Sequence, residues 1–189
     1  MKQALILCSM LWLAACGGGA QGEGEGGKPQ PDVMTSEVMR GRISRMEDSI
    51  WSRTEFDRRG AMALQSVYLA FVKAHPQDTI APEYLFRAAG TAKGLRNFEE
   101  SVRLFDRVIV EYPDWPRLVN AYYMKALTID DGLKEKGRAQ QAYEQVIMRY
   151  PDHPFAEQSR GMIELLRYSD AELIEYLKKK NEGSAGAGR

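Results

Sequence analysis

Few residues in this 189-residue chain have types that could carry chemistry: two histidines, two cysteines, and carboxylates that include the adjacent pairs Glu99-Glu100 and Asp130-Asp131. His75 and His153 each stand within one residue of a proline, in separate loops between helical runs. A metal site needs several convergent ligands, and two imidazoles in different loops do not supply them. The same separation leaves no Ser-His-Asp arrangement to assemble. Glu99-Glu100 falls in the first turn of a helix, where negative charge suits the helix dipole; Asp130-Asp131 falls at a helix end, where the same dipole opposes it. The second pair is a mild anomaly that reads as a solvated helix end or as a contact for a basic partner. Cys8 and Cys16 are the only cysteines, so the chain from Gly17 onward offers neither a disulfide framework nor a thiolate metal site. No glycine-rich phosphate loop precedes a helix, since the glycines near the N-terminus follow no strand. Charge is balanced at 26 basic against 26 acidic residues with no long basic block, which argues against nucleic-acid binding. The expectation is a non-catalytic protein with no cofactor, no metal and no nucleic-acid partner.

The thiol at Cys16 has a different context. Lys2 is followed by an apolar run from Ala4 to Ala15, of signal-peptide length and too short to span a bilayer. The run ends Leu13-Ala14-Ala15-Cys16-Gly17, which resembles the lipobox of bacterial lipoproteins. That resemblance implies cleavage before Cys16 and acylation of its thiol and new amino group. An ordinary secretory signal cut at Leu-Ala-Ala is the alternative. Acyl chains would hold the protein on a membrane at roughly 0.8 kcal/mol per buried methylene. The glycine-rich stretch that follows, from Gly17 to Asp32, cannot bury enough apolar area to offset its chain entropy and reads as a flexible tether. The expected organisation is a signal peptide over 1–15, a tether from the lipidated cysteine over 16–35, a folded domain over 36–181 and a disordered tail over 182–189.

The elements of that domain repeat. His75-Pro76-Gln77-Asp78, Tyr112-Pro113-Asp114-Trp115-Pro116 and Tyr150-Pro151-Asp152-His153-Pro154 align, with their first prolines 37 and 38 residues apart. Each follows an amphipathic helical run; in the second, Val102, Phe105, Val108 and Ile109 recur at helical steps. Proline disfavours helical geometry in the residue before it and so ends each run. Shorter helices are predicted over 82–93 and 117–130, with breaks at 94–97 and 132–137. Helices over 36–50 and 55–74 form a divergent first hairpin. A lone helix over 155–168 follows the third proline. Ser169 and Glu172 have capping-box spacing and predict a final helix to about Asn181. Trp51 is expected to pack between two helices, and Trp115 to lie in an exposed loop.

Phe86, Ala89 and Gly90, then Ser101, Phe105 and Pro113, resemble the tetratricopeptide repeat, as do Tyr123, Ala126 and Leu127 followed by Ala139, Tyr143 and Pro151. The small residues let paired helices approach and the aromatic fills the gap beside them. The resemblance implies an all-α, tetratricopeptide-like α-α superhelix, a short solenoid of helical hairpins. The period exceeds the usual ~34 residues, and the excess falls in the Pro-Asp-x-Pro junction. That junction is similar to the subtype in bacterial envelope lipoproteins, including the lipoprotein of the outer-membrane β-barrel assembly machinery and the Tol–Pal coordinator. Ala81–Phe86 and Ser169–Ile174 are similar to stretches in tetratricopeptide lipoproteins of Bacteroidetes type.

Such arrays bind partners on the concave face lined by the first helix of each hairpin. Carrying the register over places Tyr84, Arg87 and Thr91 there from one unit, and Ala121, Met124 and Thr128 from the next, with Asp131 at the rim. An arginine beside an aromatic suits a carboxylate or an extended peptide. The implied function is a protein-binding scaffold of the cell envelope. It would be lipid-anchored in the outer membrane and face the periplasm, with a role in outer-membrane protein assembly or in Tol–Pal and peptidoglycan coordination. A self-associating structural protein is the alternative, because solenoids present open ends to further copies.

Overall fold

The structure, a computed structural model, describes residues 34–52, 54–169, 171–172, 174–176 and 178–179. The expected signal peptide, Cys16, all but the last residues of the tether, the 182–189 tail and the Trp51 side chain lie outside the described residues. Among the described residues the longer α-helices are α1 (Ser36–Trp51), α2 (Arg58–Ala74), α3 (Ala81–Gly94), α4 (Phe98–Glu111), α5 (Leu118–Leu127), α6 (Lys136–Arg149) and α7 (Pro154–Leu165). Residues 171–179 are also helical where described, and the Ser169–Glu172 capping box forms: the Ser169 N–H and hydroxyl donate to Glu172 Oε2 at 2.8 and 2.7 Å. The protein is all-α, and each helix packs against its neighbours in the chain.

The repetition seen in the sequence is present in the backbone. α2, α4 and α6 end at His75, Tyr112 and Tyr150, whose φ/ψ values are −132/57, −132/60 and −136/57 degrees. In each case the capping N–H bonds the carbonyl four residues back. Three residues later Asp78, Trp115 and His153 donate their N–H to the cap carbonyls at 3.0–3.1 Å, which closes one turn and launches the next helix. The proline after each cap fixes this geometry because it excludes helical ψ at the cap residue. The aromatics at one register of α2, α4 and α6 (Tyr68, Phe105 and Tyr143) are all buried, the last two completely. Burying side chains of this size contributes about 1.5–3 kcal/mol each. Ala88, Ala89 and Ala92 on α3 are likewise buried, and their small size lets α3 lie close to both α2 and α4.

The helix ends depart from the sequence reading in instructive ways. α2 starts at Arg58, not Glu55, because the Asp57 carboxylate caps it by accepting from the Gly60 N–H at 2.9 Å. α3 runs through Gly94 and stops on Arg96, which takes the left-handed conformation at φ 63°. The N–H groups of Arg96 and Asn97 then satisfy the carbonyls of Lys93 and Ala92. α5 does not break before Gly132: it widens into a π-helical turn over Thr128–Leu133, and Gly137 belongs to the first turn of α6. Gly132 is required there, since a Cβ would sit 2.5 Å from Cδ1 of Phe98. Trp115, expected to be exposed, is half-buried against Phe86, with ring centroids 5.5 Å apart.

Candidate functional site

The first three helices enclose a groove with a volume of about 530 Å3. Its walls come from Ile50 on the last turn of α1, Ala61, Leu64 and Tyr68 on α2, and Phe86, Arg87, Gly90 and Thr91 on α3. The loop from Thr54 to Asp57 forms one rim. Helical spacing explains the α2 and α3 contributions: residues 61, 64 and 68, and residues 87, 91 and 94, fall on single faces. Gly90 and Gly94 keep the α3 wall low; nothing lies within 4 Å of a Cβ added at either. Phe56 stands at the rim with 65% of its surface exposed.

A chain of charged groups crosses this region. Arg87 bonds Glu47 on α1 at 2.7 Å and Glu83 on its own helix at 2.9 Å. Glu83 also takes Arg117, just before α5, at 2.6 Å. The two carboxylates are largely buried, with side chains 17% and 14% exposed, while the guanidiniums reach solvent. Tyr68 donates its hydroxyl to Glu47. Burial, and then the Glu47 carboxylate, push the Tyr68 phenol well above its ordinary range, so it remains a neutral donor. Burial opposes the charge on Arg87, but its bonds to Glu83 and Glu47 outweigh that and raise its pKa further. Arg117 lies over both Phe86 and Trp115, 5.6 Å from each ring centroid, and ties the charge chain to the aromatic wall.

The residues expected on a concave face have different fates. Arg87 and Thr91 line the groove. Tyr84 is buried behind it, stacked on Tyr68 at 5.4 Å and edge-on to Phe71 at 4.8 Å, so it joins α3 to α2. Ala121 and Thr128 are fully buried and offer no surface, because α5 is enclosed by α4, α6 and α7. The Thr128 hydroxyl donates to the Met124 carbonyl at 2.7 Å, and Met124 is half-buried against the core. Asp131 is exposed on the π-helical turn, far along the chain from the groove residues. The structure thus gathers two of the seven positions in one site. Arg87 is also not free to take a carboxylate, being held already by two.

Glu47, Phe56, Tyr68 and Arg117 were not singled out from the sequence. Tyr68 shares the register of Phe105 and Tyr143, and Glu83 and Arg87 have the four-residue spacing of a helical ion pair, so both signals were present. Glu47 and Phe56 lie outside the aligned repeats, where no periodicity marks them.

The other reactive types are engaged locally. Nδ1 of His153 accepts from the Phe155 N–H at 3.1 Å and caps α7. Nε2 of His75 bonds the Met34 carbonyl at 2.9 Å. Asp130 accepts from the buried Tyr143 hydroxyl at 3.2 Å, which compensates a carboxylate placed against the helix dipole. Thr91 gives its hydroxyl to the Arg87 carbonyl at 2.8 Å. Within the groove the Tyr68 hydroxyl is engaged by Glu47, and Arg87 by Glu47 and Glu83.

The chain matches no protein-family model and no curated protein. Fold and groove define an all-α protein of packed helical hairpins, carrying one apolar-walled groove between α1, α2 and α3.

Proposed function

We propose that this protein is a non-catalytic scaffold of the cell envelope, a tetratricopeptide-like superhelix held on a membrane through lipid on Cys16. Its role is to bind a segment of another protein. The observation that carries this reading is the groove: an apolar wall with an exposed aromatic at its rim and its one lining arginine, among the described residues, already held by Glu47 and Glu83. Such a surface gains free energy by covering apolar area and has no group poised to react. The lipobox-like Cys16 and the glycine-rich stretch after it support the anchored, envelope-facing placement, most simply at the outer membrane towards the periplasm. Outer-membrane protein assembly and Tol–Pal coordination both fit an anchored scaffold of this kind.

Self-association is the second reading. Val110 and Met148 are 76% and 73% exposed and occupy the same register, three residues before the repeat prolines of α4 and α6. Photo-crosslinking in intact cells separates the two. A photoreactive residue at Phe56 or Thr91 is expected to capture one defined envelope protein, and at Val110 or Met148 nothing specific. Capture of a second copy of this chain from Val110 and Met148 alone would overturn the scaffold reading.

A further inference from the structure

An arginine beside an aromatic suits a carboxylate, but at Arg87 that capacity is already taken by Glu47 and Glu83. The same pairing recurs at the C-terminal end of α6 with no carboxylate on it. There Ile109, Pro113, Leu118, Tyr122, Arg149 and Tyr150 line a cleft of about 590 Å3 between the ends of α4 and α6 and the start of α5. Arg149 lies 5.3 Å from the Tyr122 ring centroid and makes no ion pair or hydrogen bond with a described residue. Tyr150 meets Tyr122 edge-on at 5.8 Å, so the two rings and the guanidinium form one contiguous group.

This end of α6 departs from the repeat. In α4 the residue before the cap is Glu111, and Arg107 holds it at 2.7 Å. The cap tyrosine there, Tyr112, has its hydroxyl buried without a partner. The hydroxyls of Tyr122 and Tyr150 also bond no described residue, but neither is sealed from solvent. A neutralised ion pair in α4 has thus become, in α6, a lone cation beside two accessible phenols. Asp114 and Asp152 follow the two junction prolines, yet neither lines the cleft. Burial pushes the Tyr150 phenol up, Tyr122 adds to this and Arg149 opposes it; no carboxylate acts on it.

A guanidinium offers a carboxylate two parallel N–H donors, and a phenol hydroxyl adds a third. One cation does not suit a polyanion: nucleic acid and anionic membranes are held by clusters of lysine and arginine. The walls from Ile109, Pro113 and Leu118 gain free energy by covering an apolar side chain. We propose that this cleft is a second protein-binding surface, for a partner segment in which an aspartate or glutamate stands next to a bulky apolar side chain. The carboxylate bonds Arg149 and the Tyr150 hydroxyl, and the apolar side chain covers Ile109 and Leu118. The surface shares no lining residue with the groove between α1, α2 and α3, and exposed Val110 and Met148 do not line it.

The test is selection of short random peptides displayed against the full-length chain, followed by fluorescence anisotropy of the enriched peptides. The expected result is a class with aspartate or glutamate adjacent to leucine, isoleucine or phenylalanine. That class should lose roughly tenfold in affinity with Arg149→Gln and about fivefold with Tyr150→Phe, and added salt should weaken it further. Replacing the peptide's acid by its amide should weaken binding as much as Arg149→Gln does. Gly90→Trp, in the other groove, should leave it unchanged. Circular dichroism checks that the variants keep the helical fold. Absence of an acidic class, or acidic peptides indifferent to both Arg149→Gln and Tyr150→Phe, would overturn the proposal. Acidic peptides lost with Gly90→Trp instead would overturn it and leave the other groove standing as a protein-binding site. Self-association of the chain that Arg149→Gln abolishes would show the occupant to be a second copy and likewise overturn it.

Discussion

Gly132 and Gly137 lie five residues apart, yet replacing each with alanine should move stability in opposite directions. At Gly132, in the π-helical turn, a Cβ would meet Phe98 at 2.5 Å from Cδ1, 2.6 Å from Cγ and 3.0 Å from Cε1. Those atoms belong to the root and near edge of the ring, so a small rotation does not clear them. Forcing the ring away is overpacking, which costs about 1–3 kcal/mol. At Gly137, inside α6, nothing lies within 4 Å of the added carbon. Alanine there removes unfolded-state freedom and favours the helix by about 0.5–1 kcal/mol. Urea unfolding followed by circular dichroism should therefore show midpoints shifted down for Gly132→Ala and up for Gly137→Ala with the slope unchanged. In thermal melts the two should straddle the parent, by roughly 3 °C per kcal/mol for a domain of this size. Adding Phe98→Ala to Gly132→Ala should recover part of the steric loss, a coupling that a double-mutant cycle reads directly. A Gly132→Ala protein as stable as Gly137→Ala would refute the close approach of the turn to Phe98.

Three further outcomes test other parts of the account. Ser101 is fully buried in α4 with a hydroxyl that bonds nothing, so Ser101→Ala should raise stability by about 1 kcal/mol in the same urea assay. Burial holds the Asp130 carboxyl above its ordinary range despite the Tyr143 hydrogen bond. The folded state thus binds that proton more readily, and its contribution, full in acid, is lost as pH rises through the raised value; Asp130→Asn should be near neutral at about pH 3 and stabilising at about pH 7. Cys16→Ser should release the protein from the membrane fraction and abolish incorporation of labelled fatty acid, whereas retention would point to an ordinary secretory signal.

Much of the fold was legible because the repeat is enforced by strong local physics. Proline at 76, 113 and 151 fixes the cap backbone, and the aromatics at 105 and 143 announce the buried register. The π-helical turn was not legible. Its occurrence depends on a glycine passing over Phe98 and a tyrosine thirteen residues on reaching back to Asp130, contacts that no local pattern encodes. The candidate site was half legible for a related reason. Assigning one concave strip to α3 and α5 assumes equivalent surroundings, but α5 is covered on more sides than α3, so Ala121 and Thr128 became core. The groove instead depends on the divergent first hairpin, where Glu47 and Phe56 lie outside the repeat pattern. The Asp130-Asp131 pair, read as a solvated helix end or a contact for a basic partner, is neither at Asp130: that residue is half-buried within a turn that runs on to Leu133 and accepts from Tyr143.

The most direct test of the central claim is to fill the groove and ask what is lost. Gly90→Trp places an indole where an added Cβ meets nothing within 4 Å, at the wall of the cavity. The account predicts an unchanged helical spectrum and membrane fraction, with loss of the envelope protein captured by crosslinking from the anchored parent. Undiminished capture of that same protein from the folded Gly90→Trp chain would contradict the groove as the binding site.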